Sequence, residues 1–186
     1  MPFSLTWLPK VLTDAGLKVE EVPGWQERGT GGADVGKVLG VLCHHTGIRS
    51  KKNMPTLNSL INGRAAEKNL SAIPGPLSQL GLGRDGTFFI IAAGRANHAG
   101  IGVWQEISSG NSNFIGIEAE NSGDADDSWP PEQIDAYQRG VAAILKHSGQ
   151  PAIFCAGHKE YAPKRKDDPS FDMVAFRTAV EKLLSA

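Results

Sequence analysis

The sequence predicts one domain of the α/β (α+β) class, in which helices flank a central mixed β-sheet. Its 186 residues, 40% of them hydrophobic, are enough to bury one substantial core. Short apolar runs typical of buried strands alternate with segments of helical periodicity. No repeat or linker divides the chain. We therefore expect a single domain over 1–186, with about 1–37 as an N-terminal helix and glycine-rich extension and 38–186 as the core of the domain.

The N-terminal third predicts a helix, a loop and a strand. A helix is expected near Leu5–Ala15, with Pro9 tolerated in its first turn and Gly16 at its C-terminal cap. Residues Gly29–Lys37 are glycine-rich and predict a loop. The run Val38–Cys43 has the length and branching of a buried strand, and it leads directly into two histidines.

The middle of the chain predicts a helix, a hairpin and a second buried strand. The segment Pro55–Arg64 carries apolar residues on one helical side. The turn residues Gly83–Thr87 predict a hairpin that feeds a strand over Phe88–Ala92. A further strand is predicted over Phe114–Glu120, and its alternation places Glu118 on the face opposite the isoleucines.

The C-terminal third contains the clearest helix, over Pro131–His147, with proline in its first turn and apolar residues at helical spacing. The short run Ala152–Ala156 predicts a strand that leads to His158. A last helix is predicted from about Asp172.

Composition excludes several classes of function. Nineteen basic and twenty acidic residues leave a net charge of −1 with no dominant basic stretch, so we expect no nucleic-acid partner. The apolar runs are too short to span a bilayer, so we expect no membrane insertion. Residues Met1–Lys10 lack the charged and then apolar pattern of a secretory signal, so we expect the protein to be cytoplasmic as synthesised.

Two other features predict structure rather than chemistry. Cys43 and Cys155 lie in apolar runs and are expected to be buried thiols, with a disulfide as the alternative. Residues Gly31–Lys37 match the spacing of a phosphate-binding loop. However, Val38 follows where Ser or Thr is required, and the loop enters a strand, so we expect a plain glycine loop.

Histidines and acids at the predicted strand ends indicate a metal site. His44 and His45 end one strand, His158 ends another, and Asp167-Asp168 follow in a loop. Zinc in catalytic sites takes three such ligands and keeps one open position. Adjacent residues of a strand point to opposite faces, so only one of the two histidines is expected to face the metal. The alternative is separate surface or core histidines and a solvated acidic pair.

Three segments in order then suggest a family. Val41–Thr46, Ile115–Glu118 and Gly157–Pro169 together resemble the type 2 N-acetylmuramoyl-L-alanine amidases. That group includes bacterial muropeptide-recycling amidases, phage endolysins and animal peptidoglycan recognition proteins. The resemblance extends from about Val38 to the C-terminus and depends most on the third segment.

The resemblance implies a single zinc ion and a set of roles around it. The implied zinc ligands are His44, His158 and Asp168, the acid that directly precedes proline. Glu118 is implied as the catalytic base, and Lys166 as the residue that stabilises the negative oxygen of the intermediate. An ordinary strand carboxylate and a solvated loop charge are the alternatives for these last two residues.

Two further observations refine the implied site. The segment Asn97–Gly100 resembles the family's His-Ala-Gly segment, in which the histidine lines the substrate groove, so His98 is a substrate-binding candidate, with simple packing as the alternative. Some phage members carry a tyrosine before the turn that here reads Arg84–Gly86, and this chain has none there. The prediction of a base therefore depends on Glu118.

The implied activity is hydrolysis of the amide between the lactyl group of N-acetylmuramic acid and L-alanine, by a monomer acting on peptidoglycan or muropeptides. A lytic endolysin released by a holin and a cytoplasmic recycling amidase both explain the lack of a signal. The stretch Pro74–Leu77 resembles endolysins and favours the lytic role. The competing hypotheses are a non-catalytic recognition module and a metallopeptidase that cuts within the stem peptide.

Overall fold

In the computed structural model, residues 1–68 and 71–186 are described, and they form eight strands and six helices. The strands are β1 (Val19–Glu21), β2 (Gly40–His45), β3 (Gly63–Arg64), β4 (Ile73–Pro74), β5 (Leu80–Leu82), β6 (Phe88–Ile90), β7 (Phe114–Ala119) and β8 (Cys155–Gly157). The helices are α1 (Leu8–Asp14), α2 (Leu57–Asn62), α3 (Gly110–Asn113), α4 (Pro131–Ser148), α5 (His158–Tyr161) and α6 (Met173–Ser185).

Six of the strands form one mixed sheet in the order β1-β6-β5-β7-β2-β8, and β3 pairs with β4 separately. Within the large sheet only β5 and β6 are antiparallel, joined by the predicted hairpin with Leu82 opposite Phe88. The other four pairs are parallel. The predicted mixed sheet flanked by helices is confirmed.

Two strand predictions need correction. The strand predicted over Val38–Cys43 is shifted by two residues: β2 begins at Gly40 and ends with the predicted histidine pair, because it stays paired with β7 as far as the His45–Ala119 register. The predicted strand Ala152–Ala156 is wrong in its first half: Ala152–Phe154 is a 3-10 turn, closed by a hydrogen bond from the Phe154 amide to the Pro151 carbonyl. Pairing with β2 starts only at Cys155.

The two long helices begin where the sequence predicts, and α4 ends one residue beyond its predicted end at His147. Helix α4 has Pro131 in its first turn and ends where Gly149 adopts a left-handed conformation with φ of 69°. Helix α6 begins after Asp172, whose side chain accepts hydrogen bonds from the Val174 and Ala175 amides. In the part of the chain that the structure describes, no helix is long and apolar enough to cross a bilayer.

The largest apolar cluster lies on one face of the sheet, beneath α1, α4 and α6. The residues of β2 and β7 that contribute to it are Val41, Cys43, Ile115, Ile117 and Ala119. The N-terminal segment belongs to the same core, since β1 pairs at the sheet edge and Leu5, Leu8 and Leu12 pack into it. Cys43 and Cys155 are buried free thiols, as predicted, with their sulfurs 3.7 Å apart. The opposite face of β2 and β7 carries polar residues at its carboxyl end.

Candidate functional site

Polar residues converge where β2, β7 and β8 end. Because these strands are parallel neighbours, their carboxyl ends lie at one edge of the sheet. His44 on β2 lies in register with Glu118 on β7, and His158 begins α5 directly after β8. The loop that follows α5 brings Asp168 back to this edge, where the Lys159 amide donates to the Asp168 carbonyl at 2.6 Å.

The structure brings His44, His158 and Asp168 together in a group that can hold a metal ion. Nδ1 of His44 lies 3.0 Å from Nδ1 of His158 and 3.1 Å from Oδ2 of Asp168. Nδ1 of His158 lies 3.3 Å from the same carboxylate oxygen. All three residues are buried. Three donor atoms therefore face one point shielded from bulk water.

The neighbours of two of these residues point elsewhere. His45 stacks toward Trp129, with ring centroids 6.5 Å apart, and Asp167 is exposed. The alternation along β2 separates His44 from His45, as the strand geometry predicts. Of each adjacent pair, only one member thus joins the three-residue group.

The electrostatics of the group favour a bound cation. Burial lowers the pKa of His44 to about 4, despite the nearby Asp168 carboxylate, so this imidazole is neutral at pH 7. Burial acts in the opposite direction on Asp168, but the two imidazoles hold the pKa of its carboxyl group below its usual range. Neutral imidazole and ionised carboxylate are the protonation states that metal coordination requires.

Glu118 lies beside this group with one oxygen unpaired. Its Oε1 is 3.9 Å from His44 Nδ1, and its buried Oε2 has no hydrogen-bond partner among residues 1–68 and 71–186. Burial, and then the charge of Asp168, raise the pKa of Glu118 well above its ordinary value. By contrast, the Glu120 carboxylate accepts hydrogen bonds from Thr46 and Thr56, at 3.0 and 2.7 Å. Of these two glutamates, Glu118 is therefore the one poised to exchange a proton.

A cavity of about 780 Å³ opens onto the group, and its wall includes Glu118, His158 and Asp168. Lys166 is exposed and lines the cavity, where its charge favours the ionised form of Glu118. His98 also lines the cavity but is only 7% exposed, and its Nδ1 lies 3.2 Å from His44 Nε2. All six predicted site residues thus lie at one end of the sheet.

Sequence reasoning missed a tyrosine that holds the strands at this site. The Tyr137 hydroxyl accepts the His44 amide hydrogen bond at 2.9 Å and donates to the Ile117 carbonyl at 2.9 Å. The sequence shows Tyr137 only as an inward residue of a helix. A buried tyrosine hydroxyl usually forms a hydrogen bond. The inward position of Tyr137 on its helix was therefore the signal in the sequence that could have predicted this contact.

Comparisons with known proteins agree with this geometry. The family model for N-acetylmuramoyl-L-alanine amidase matches residues 34–171. A search of curated protein sequences finds no match. Among solved structures, the AmpD derivative is 21% identical, covers 96% of this chain and 99% of its own, and has a TM-score of 0.65.

Two further solved structures share the fold. The amidase AmiD from E. coli, in complex with the substrate anhydro-N-acetylmuramic acid-L-Ala-D-gamma-Glu-L-Lys, is 22% identical over 79% of this chain and 59% of its own, with a TM-score of 0.60. A mutant endolysin from Bacillus subtilis is 16% identical over 88% of this chain and 99% of its own, with a TM-score of 0.59. Since the family model spans most of the sequence, the family predicted from the three segments is confirmed. This chain belongs to the N-acetylmuramoyl-L-alanine amidase family and is a peptidoglycan amidase.

Proposed function

We propose that the protein is a zinc-dependent amidase that hydrolyses the bond between the lactyl group of N-acetylmuramic acid and L-alanine, with His44, His158 and Asp168 as its zinc ligands. The observation that carries the proposal is the buried triangle formed by two imidazole nitrogens and one carboxylate oxygen, with sides of 3.0, 3.1 and 3.3 Å.

The triangle has the dimensions that zinc requires. Ligand atoms about 2.0–2.1 Å from a tetrahedral zinc ion are roughly 3.3–3.4 Å apart, close to the observed separations. Two nitrogens and one carboxylate oxygen form a donor set suited to zinc. Three ligands also leave a fourth position open, as in catalytic zinc sites. When bound, zinc supplies a Lewis acid that polarises the scissile carbonyl and acidifies water.

Glu118 is the proposed general base. Its unpaired Oε2 and raised pKa suit a carboxylate that takes a proton from the attacking water at neutral pH. The same carboxyl group can then deliver that proton to the nitrogen of the departing L-alanine. Glu118 therefore carries out both proton transfers, and the reaction needs no tyrosine.

Two other residues complete the proposed catalytic machinery. Lys166, on the cavity wall, presents an ammonium group that can stabilise the oxygen on which negative charge develops. His98 lines the same wall and is proposed to lie against the bound substrate. Arg64 and Arg165 add positive charge to the wall, which complements the carboxylates of a stem peptide.

We propose that the protein acts as a monomer on peptidoglycan or its fragments. For the biological role we propose lysis, by a protein cytoplasmic as synthesised that reaches the wall after holin-type release. The endolysin-like stretch Pro74–Leu77 and the structural likeness to the Bacillus subtilis endolysin support this role. A second candidate is the recycling of soluble muropeptides, which is favoured by the likeness to AmiD, whose bound substrate is anhydro-N-acetylmuramic acid-L-Ala-D-gamma-Glu-L-Lys.

The test supplies intact sacculi and soluble anhydro-muropeptides separately to metal-free protein, with and without added zinc. We expect a new free amino group on L-alanine, released only when zinc is present. A new amine on another stem residue would instead identify a metallopeptidase, and binding without cleavage would identify a recognition module. Faster cleavage of sacculi supports the lytic role, while cleavage of soluble fragments alone supports recycling.

A further inference from the structure

The two proposed histidine ligands differ in how their outer nitrogens are held. Nε2 of His158 lies 2.8 Å from the backbone carbonyl of Ala99. Nε2 of His44 lies 3.2 Å from Nδ1 of His98, and Nε2 of His98 lies 3.1 Å from the Phe114 carbonyl. One ligand is therefore bonded directly to the backbone, while the other reaches the backbone through a second imidazole.

The terminal carbonyl sets the direction of every hydrogen bond in this chain of groups. A carbonyl oxygen only accepts, so Nε2 of His98 must carry the hydrogen. A neutral imidazole has one N–H, which leaves Nδ1 of His98 as an acceptor. Nε2 of His44 must then donate to it, and Nδ1 of His44 keeps its lone pair. That lone pair faces His158 and Asp168.

The environment keeps His98 neutral, as this direction of hydrogen bonding requires. Its ring is 7% exposed, and no acidic side chain hydrogen-bonds to it among the residues that the structure describes. Because the ring nitrogens already have protein partners, His98 can offer a substrate only its carbon edge.

Residues on two sides of His98 fix its position. On β7, Gly116 leaves the space that the ring occupies, since a Cβ there would lie 2.5 Å from His98 Cγ. On the other side, the Asn111 carboxamide oxygen accepts from the His98 and Ala99 amides at 2.9 and 2.7 Å. The dipeptide His98-Ala99 thus supplies the outer partners of both ligand histidines and is itself anchored by Asn111.

We propose that His98 is a positioning residue, which fixes the tautomer and ring orientation of His44 so that Nδ1 is presented to the metal. This proposal rests on the proposed function, because it takes His44 to be a ligand. Outer partners of metal-bound histidines orient the ring and increase its basicity. Here that partner is the neutral His98. It donates a hydrogen bond to the Phe114 carbonyl and therefore can only accept the hydrogen bond from His44.

The test compares the zinc affinities of the parent, His98→Leu and His98→Asn by competition with a chromophoric chelator. Leucine removes the acceptor, so we expect zinc to bind about 10- to 100-fold more weakly. Asparagine can offer its side-chain oxygen to His44 Nε2, so it should restore much of the affinity. An affinity of His98→Leu within about threefold of the parent would overturn the proposal.

A spectroscopic measurement tests the hydrogen-bond direction without any variant. In zinc-loaded protein with ¹⁵N-labelled histidine, we expect a protonated His44 Nε2 coupled across a hydrogen bond to an unprotonated His98 Nδ1. A hydrogen on His98 Nδ1 contradicts the proposal, and this result remains decisive even if His98→Leu fails to fold. Gly116→Ala, which displaces the His98 ring without changing its donors, should also weaken zinc binding.

The two proposals fail in different ways. Absence of zinc binding by the parent protein defeats the proposed function, whatever the state of His98. Normal zinc binding and cleavage by the parent, together with a His98→Leu variant that binds zinc equally well, defeats only the positioning role.

Discussion

The two faces of β2 and β7 differ in what their side chains do. Toward α4 and α6, residues such as Val41 and Ile117 are fully buried among hydrocarbon. On the other face, His44 belongs to the three-residue group and Glu118 lines the cavity, and one oxygen of Glu118 has no partner among the residues that the structure describes. Apolar packing toward α4 and α6 can stabilise both strands. The opposite face can then hold polar groups whose hydrogen bonds the protein does not satisfy. Changes on the two faces should therefore separate activity from stability.

The largest effect is expected from removing a ligand. Asp168→Ala takes away the carboxylate of the proposed metal group, so bound zinc and amidase activity should both be lost. The fold should persist, because Asp168 lies in a loop outside the apolar core. Metal content, amidase assay and circular dichroism of the purified variant check this. A variant that retained one zinc per chain and normal activity would contradict the ligand assignment.

The next largest effect is expected at the proposed base. Glu118→Ala should keep its zinc but lower kcat by about 10²- to 10⁴-fold, because proton transfer is lost. The matched control is Glu120→Gln, two residues further along the chain, because the Glu120 carboxylate is hydrogen-bonded to Thr46 and Thr56. The control should hydrolyse substrate at close to the parent rate. Near-normal turnover by Glu118→Ala would rule out its role as the base.

On the apolar face, Ile117→Ala should change stability and spare the chemistry. Ile117 is fully buried, so its truncation should lower the free energy of unfolding by about 2–5 kcal/mol. Urea denaturation measures this loss. Zinc affinity and activity, assayed under conditions where the variant is fully folded, should stay near those of the parent. Loss of zinc from the folded variant would show that the two faces are not separable.

The smallest effect is a pH-dependent gain in stability from Glu118→Gln in metal-free protein. Folding raises the pKa of Glu118 above its unfolded value of about 4.3, so the folded state binds this proton more tightly. The parent therefore loses stability as pH rises from the unfolded pKa through the folded one. The glutamine variant lacks this loss, so its advantage in Tm should be present at pH 7 and absent below the unfolded pKa. An advantage independent of pH would exclude titration of Glu118 as its cause.

The elements that could be predicted are those with strong local signals. Helix α4 has a proline start, a glycine end and regular apolar spacing, and it forms close to its predicted bounds. The short strand β8 was predicted too early, because Ala152–Phe154 is apolar but turns before pairing begins. An apolar run does not by itself distinguish a strand from a turn, since the distinction depends on partners distant in sequence.

The sequence alone determined which residue types were available at each strand end. Because adjacent side chains of a strand point to opposite faces, it also required His44 and His45 to face opposite sides of the sheet. Motif order in the sequence identified the family. Only the tertiary structure decided that His44 and Asp168 face His158 while His45 and Asp167 do not. It also showed that the ligand histidines obtain their outer partners from the distant residues His98 and Ala99. Except for the contact between His158 and Asp168, these contacts join residues more than 50 positions apart, so their directions depend on how the sheet and loops pack.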